Sequence, residues 1–209
     1  MYDAPYGSGE RFSQYFCATM ITMATTVMIF GPGDNYYPTL KNADKMIEEA
    51  ARSGLPAVNS YEAMAKFFKA YFFAKMSLEM GDIPVTQALQ GAGNLTPTYD
   101  PQKTVFQQAF ALLDSANTEL AQLIASNATI SGDFYFNNDL SKWRKVVNTF
   151  RLRLLVHLSK KSDDADLSAK QQFASILADA NKYPIMTSMD DNLVFQFVNP
   201  TNKYPMNPG

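Results

Sequence analysis

The sequence predicts an all-α fold, a helical repeat array of antiparallel helix pairs with little or no strand. Three observations predict it. Apolar residues recur near a 3.6-residue period in one segment after another, these segments open and close on capping residues, and strand-like alternation is confined to one stretch near the end. With 209 residues, 46% of them hydrophobic, there is enough apolar surface for a sizeable core. One helical domain over residues 1–209 is expected.

Residues from about Arg11 to Phe30 read as a first apolar helix, closed by Gly31-Pro32-Gly33-Asp34. From Tyr36 or Tyr37 to Arg52, Leu40, Ala43, Ile47 and Ala50 keep helical spacing, and Gly54 stands just past the end. Asn59, with Glu62 three residues on, has the pattern of a capping box for a helix running to Met80 and stopped by Gly81. Apart from a stripe of Glu62, Lys66 and Lys69 that helix is apolar almost all round, so neighbours must cover it and it should lie at the centre. Asp100 and Pro101 supply an N-cap and a first-turn proline for a long helix carrying Val105, Ala109, Leu112, Ala116, Leu120 and Leu123. Another begins near Ser141 and stacks Trp143, Val147, Phe150 and Leu154. A shorter one covers about Ala169 to Ala180, using Phe173, Ile176 and Leu177. Asn192 to Val198 alternates as a single strand would. No strict 34-residue period emerges, because the connection Gly81 to Asp100 is far longer than a usual helix–helix link; loops of that length are usually functional.

Composition and motifs remove several function classes. A net charge of −2 creates no field to attract nucleic acid or an anionic membrane surface. The basic residues Lys142, Arg144, Lys145, Arg151, Arg153, Lys160 and Lys161 spread round one helix with Asp163, Asp164 and Asp166 next in sequence, the pattern of a solvated, internally paired face. Cys17 is the single cysteine; no intrachain disulfide or multi-cysteine metal site can form, and its apolar neighbours suggest burial. The uncharged run Tyr15 to Phe30 is shorter than the roughly 20 residues that span a bilayer, so a buried helix is expected there. His157, the one histidine, lies in an apolar helix where a buried, hydrogen-bonded ring is expected. Glu48-Glu49 and Asp190-Asp191 are adjacent pairs, which point apart on a helix. Neither a nucleophile triad, a phosphate loop nor a zinc motif is present, so no enzyme activity, cofactor or metal is expected.

Several stretches, in order, resemble the SusD/RagB family, in particular its branch of starch-binding proteins associating with the outer membrane. Lys69-Ala70-Tyr71-Phe72-Phe73 followed by Met80-Gly81-Asp82-Ile83-Pro84 resembles the family's aromatic helix and "YGDIPY" turn, with Met80 and Val85 in place of the usual aromatics. Thr98-Tyr99-Asp100-Pro101-Gln102 resembles its "YDSQ" helix start. Asp139 to Trp143 and Asn148-Thr149-Phe150-Arg151-Leu152-Arg153-Leu154 resemble its "GDxxKWxKfANsLrLRLA" helix, the most specific of the three. The resemblance runs from roughly Tyr15 to Val198, and full members are longer, so the chain reads as a piece of a larger protein. It implies a tetratricopeptide-like scaffold in a lipid-anchored, cell-surface outer-membrane protein, with the anchor outside this chain. The implied activity is capture of oligosaccharides, or of another nutrient such as a peptide, for a SusC-like TonB-dependent transporter.

Sugar binding wants aromatic faces for the apolar side of a pyranose, with amides or carboxylates beside them for its hydroxyls. Gly33-Asp34-Asn35-Tyr36-Tyr37 offers that combination, and the resemblance implies that the early loop contributes an aromatic and an Asn; Asn35, Tyr36 and Tyr37 are the candidate ligand-binding residues. The alternative is that both tyrosines staple the following helix. A second cluster, Phe134-Tyr135-Phe136-Asn137-Asn138, has the same chemistry without support from the resemblance. Trp143 is expected in the core with its N–H satisfied, and Gly81-Asp82-Ile83-Pro84 as a structural turn. The rival to a glycan binder is a helical-repeat module that binds a protein partner and no small ligand.

Overall fold

The computed structural model describes residues 35–195, which contain five α-helices and no strand. They are α1 (Tyr37–Arg52), α2 (Ser60–Met80), α3 (Gln102–Ala125), α4 (Leu140–His157) and α5 (Ala169–Ala178). Each packs on the next in sequence as a tetratricopeptide-like succession of antiparallel pairs, and α2 also reaches α4. The expected helix over Arg11 to Phe30, its closing turn and the expected burial of Cys17 fall outside the described residues.

The caps form largely where the sequence placed them. Asn59 accepts the Glu62 N–H at 2.9 Å, but the Glu62 carboxylate turns to Lys66 at 2.8 Å, so only half of the capping box forms. Asp139, for which the sequence carried no cap expectation, accepts the N–H groups of Ser141 and Lys142 and opens α4. Gly81 stops α2 at φ 81°, a left-handed conformation that favours glycine.

The core is centred on α2, as its all-round apolarity requires. Phe67 is fully enclosed, with the rings of Phe68, Tyr71, Trp143 and Phe150 all within 6.4 Å of its own. This cluster continues through Phe106, Leu113 and Leu120 of α3 and Val147 and Leu154 of α4. A smaller one joins Leu40 of α1, Phe73 and Met76 of α2, Ile83 and Val105. Between Glu62 and Glu119 the Lys66 ammonium is paired on both sides, closing α2 against α3 at the polar stripe.

Four expectations need correction. Asp100 does not cap α3: the helix opens on Pro101, the Gln102 N–H goes to the Asp82 carboxylate at 2.8 Å, and Asp100 turns back into the long connection. His157 is exposed, because Arg153, Val156 and His157 at i, i+3 and i+4 form the outer stripe of α4. Leu177 is 53% exposed, turned one residue away from buried Ile176 on a helix that ends at Ala178. Asn192 to Phe195 form no strand, since the described residues offer no neighbouring edge to pair with and the Asn192 N–H closes a 3₁₀ turn on Met189; the rest of that stretch lies outside the described residues.

Candidate functional site

Tyr37 is the first residue of α1, Tyr36 its N-cap, and Asn35 precedes them exposed to solvent. Both tyrosine rings are half-buried. Tyr36 lies 5.1 Å from Phe72 of α2, with the Lys75 ammonium 4.7 Å above its ring. The Tyr37 hydroxyl donates to the carbonyl of Pro84 at 2.6 Å, tying α1 to the turn that follows α2. Burial first, then the neighbouring Tyr99 and the Asp100 carboxylate, push the Tyr37 phenol up to about 12. Both rings therefore position α1, and each keeps part of its surface accessible.

The long connection beside them is rigidly organised. Ile83 and Asp100 exchange backbone hydrogen bonds at its two ends, at 3.2 and 3.0 Å. The Asp100 carboxylate accepts the N–H groups of Val85 and Thr86, both at 2.8 Å, and the Thr86 hydroxyl. Burial alone would raise its pKa, but these donors hold it below the usual carboxylate range. Farther out, Gln87 accepts from the Asn94 amide and the Thr98 N–H. At the far end Tyr99 is 72% exposed next to Asp100. The turn Gly81-Asp82-Ile83-Pro84 is structural throughout: the Ser77 hydroxyl donates to Gly81, Asp82 caps α3, Ile83 is in the core and Pro84 accepts from Tyr37.

The second aromatic cluster forms the connection between α3 and α4. Its organiser is Asp133, whose carboxylate accepts the N–H groups of Tyr135, Phe136 and Asn138 and the Trp143 indole N–H, the last at 2.8 Å. Trp143 is 3% exposed and packs in the core with its donor satisfied, as expected. Asn137 and Asn138 close the loop with left-handed backbones at φ 54° and 71°, which asparagine tolerates. Phe136 is buried, whereas Phe134 stands out with its centroid 4.6 Å from Tyr135 and 5.6 Å from Phe195. Sequence reasoning missed the arrival of Phe195 from the far end of the described chain, whose only signal was the alternation read as a strand.

Four of the five Lys and Arg side chains of α4 are engaged internally, while Arg153 lies on its exposed stripe. Lys142 donates to the Asp190 carbonyl, Arg144 to Asn117 and to the carbonyls of Asn181 and Lys182, Lys145 pairs with Asp191 and Arg151 with Asp114. The adjacent carboxylates also diverge, Glu48 toward Lys45 and Glu49 toward Arg52. Among the described residues no three His, Cys, Asp or Glu side chains converge to hold a metal, and no helix is long and apolar enough to cross a membrane.

The family model described as "Starch-binding associating with outer membrane", SusD-like, matches residues 19–207. The chain belongs to the SusD-like family. Solved structures agree. An outer-membrane protein of Bacteroides vulgatus, described in connection with nutrient binding, shares 36% identity at a TM-score of 0.72, covering 83% of this chain and 36% of its own. A SusD homologue from Bacteroides fragilis shares 37% identity at 0.70, covering 81% and 35%. A chitin-binding protein shares 32% identity at 0.59, covering 74% and 31%. This SusD-like chain thus spans about a third of the length of the solved structures it matches. No curated protein matches it.

Proposed function

We propose that this SusD-like chain is part of a non-catalytic protein that captures oligosaccharides at the cell surface and delivers them to a SusC-like TonB-dependent transporter of the outer membrane. The carrying observation is the match of residues 19–207 to a family described as starch-binding and associated with the outer membrane. A lipid anchor outside residues 1–209 would tether it, and we take those residues as one helical domain of a larger protein. Asn35, Tyr36 and Tyr37 are the proposed ligand-binding residues; the two rings are partly accessible, and the helix start and the Pro84 carbonyl hold them in place.

A protein-binding module has one observation in its favour, a shallow, mainly apolar groove of about 450 Å³ between α4 and α5, lined by Leu155, Val156, Ala169, Phe173 and Ala174. Rings held side by side on an exposed loop, as at Phe134 and Tyr135, favour sugar instead. Native gel electrophoresis through gels containing starch, glycol chitin or xylan separates the two readings. Retardation by at least one polysaccharide, reduced by Asn35→Ala or Tyr36→Ala, is expected. Equal mobility in every gel would contradict glycan capture.

A further inference from the structure

We propose that Phe134, Tyr135 and Phe195 form a stacking subsite for one pyranose ring of an oligosaccharide, on a different loop from Asn35–Tyr37. The proposal rests on the glycan-binding reading above and names a second place where that reading acts.

Exposure is the first ground. Phe134 is 70% exposed and Phe195 41%, with Tyr135 half-buried between loop and core. The centroids of the three rings lie 4.6 to 6.2 Å apart. A solitary exposed phenyl needs no explanation, but a joined group of rings at a loop tip presents an apolar face to water. Its extent is that of a monosaccharide rather than of a helix, which would require a groove along several turns.

Rigidity is the second. Three backbone N–H groups and the Trp143 indole N–H converge on Asp133, so the loop is fixed before any ligand arrives. The Phe134 side chain contributes little to the core, yet the backbone that carries it is held at both of its neighbours in the loop. Such pre-organisation reduces the ordering cost of binding.

The neighbouring polar groups select the ligand class. Both Asp133 oxygens are occupied by donors, and the Lys142 ammonium is engaged with the Asp190 carbonyl. Among the described residues of the loop, the side chains of Asn137 and Asn138 are exposed, with the Asn138 amide oxygen taking the Asp133 N–H. Among the described residues, aromatic faces with amides beside them suit the C–H face and hydroxyls of a sugar.

Trp143, the chain's single tryptophan, reports on this loop: it binds Asp133 and lies edge-on to Tyr135 at 6.0 Å and to Phe136 at 5.3 Å. The 209-residue chain is titrated with maltohexaose, cellohexaose, xylohexaose and chitohexaose, following tryptophan emission and heat in parallel. A saturable emission change with the same midpoint as the heat is expected for at least one of them. Phe134→Ala should weaken that binding about ten-fold and remove the emission change while leaving the thermal unfolding midpoint in place, whereas Tyr36→Ala should keep the emission change. Heat at saturation without an emission change, or undiminished affinity in Phe134→Ala, overturns the subsite and leaves glycan capture standing. Absence of heat with all four sugars overturns both. Loss of self-association or of transporter capture in Phe134→Ala, with sugar affinity intact, would make the rings a protein contact and likewise overturn the subsite.

Discussion

Asp133 holds three backbone donors and an indole at once, so its carboxylate concentrates more hydrogen bonding than any other position in the loop. Asp133→Ala leaves the buried Trp143 N–H without a partner and should cost about 2–4 kcal/mol in urea unfolding. Two titrations belong to the same scale. The Lys145 ion pair first, with the N–H groups of Thr187 and Ser188, draws the Asp191 carboxyl down to about 2. A depressed acid contributes stability above its unfolded value near 4 and loses it as pH falls toward about 2. The unfolding midpoints of wild type and Asp191→Asn should therefore differ at neutral pH and converge across that acid window. Tyr37 has the opposite sign: its raised phenol contributes stability below pH about 10 that is lost as pH climbs through about 12. Tyr37→Phe should flatten the alkaline fall in unfolding midpoint and, by losing the bond to Pro84, cost about 1 kcal/mol at neutral pH.

At the scale of elements, helix positions were legible because periodicity and caps are local. Asn59, Gly81 and Asp139 act where they stand in the sequence, and Asn59→Ala should destabilise by about 1 kcal/mol in the same unfolding measurement. The roles of Asp82 and Asp100 escaped the sequence for a reason that is not local. The donors each satisfies lie across the long connection, and the pairing of Ile83 with Asp100 that brings them together leaves no periodic signal. His157 and Leu177 fail differently: apolar surroundings in sequence do not say which side of a terminal helical turn a neighbour covers. The candidate site divides in the same way. Tyr36 and Tyr37 could be chosen by chemistry, while their anchoring to Phe72 and Pro84, and the meeting of Phe134 with Phe195, depend on tertiary contacts.

For the whole molecule, the described helices are a scaffold whose centre is α2 and whose connections carry the accessible aromatic and amide groups. Phe67→Ala, removing the ring on which Phe68, Tyr71, Trp143 and Phe150 converge, should cost about 3–5 kcal/mol and loosen α2 from α4. Family membership and helical architecture both follow from features spread over most of the chain, which is why they were legible without coordinates. Under the proposed function the identity of a bound sugar would not be distributed in this way, since it would rest on a few ring positions. Glycan capture is the claim on which the functional account depends. Isothermal titration of the 209-residue chain with the four hexasaccharides tests it most directly. Saturable heat with at least one of them is predicted, and no heat with any, from protein that unfolds cooperatively, would contradict it.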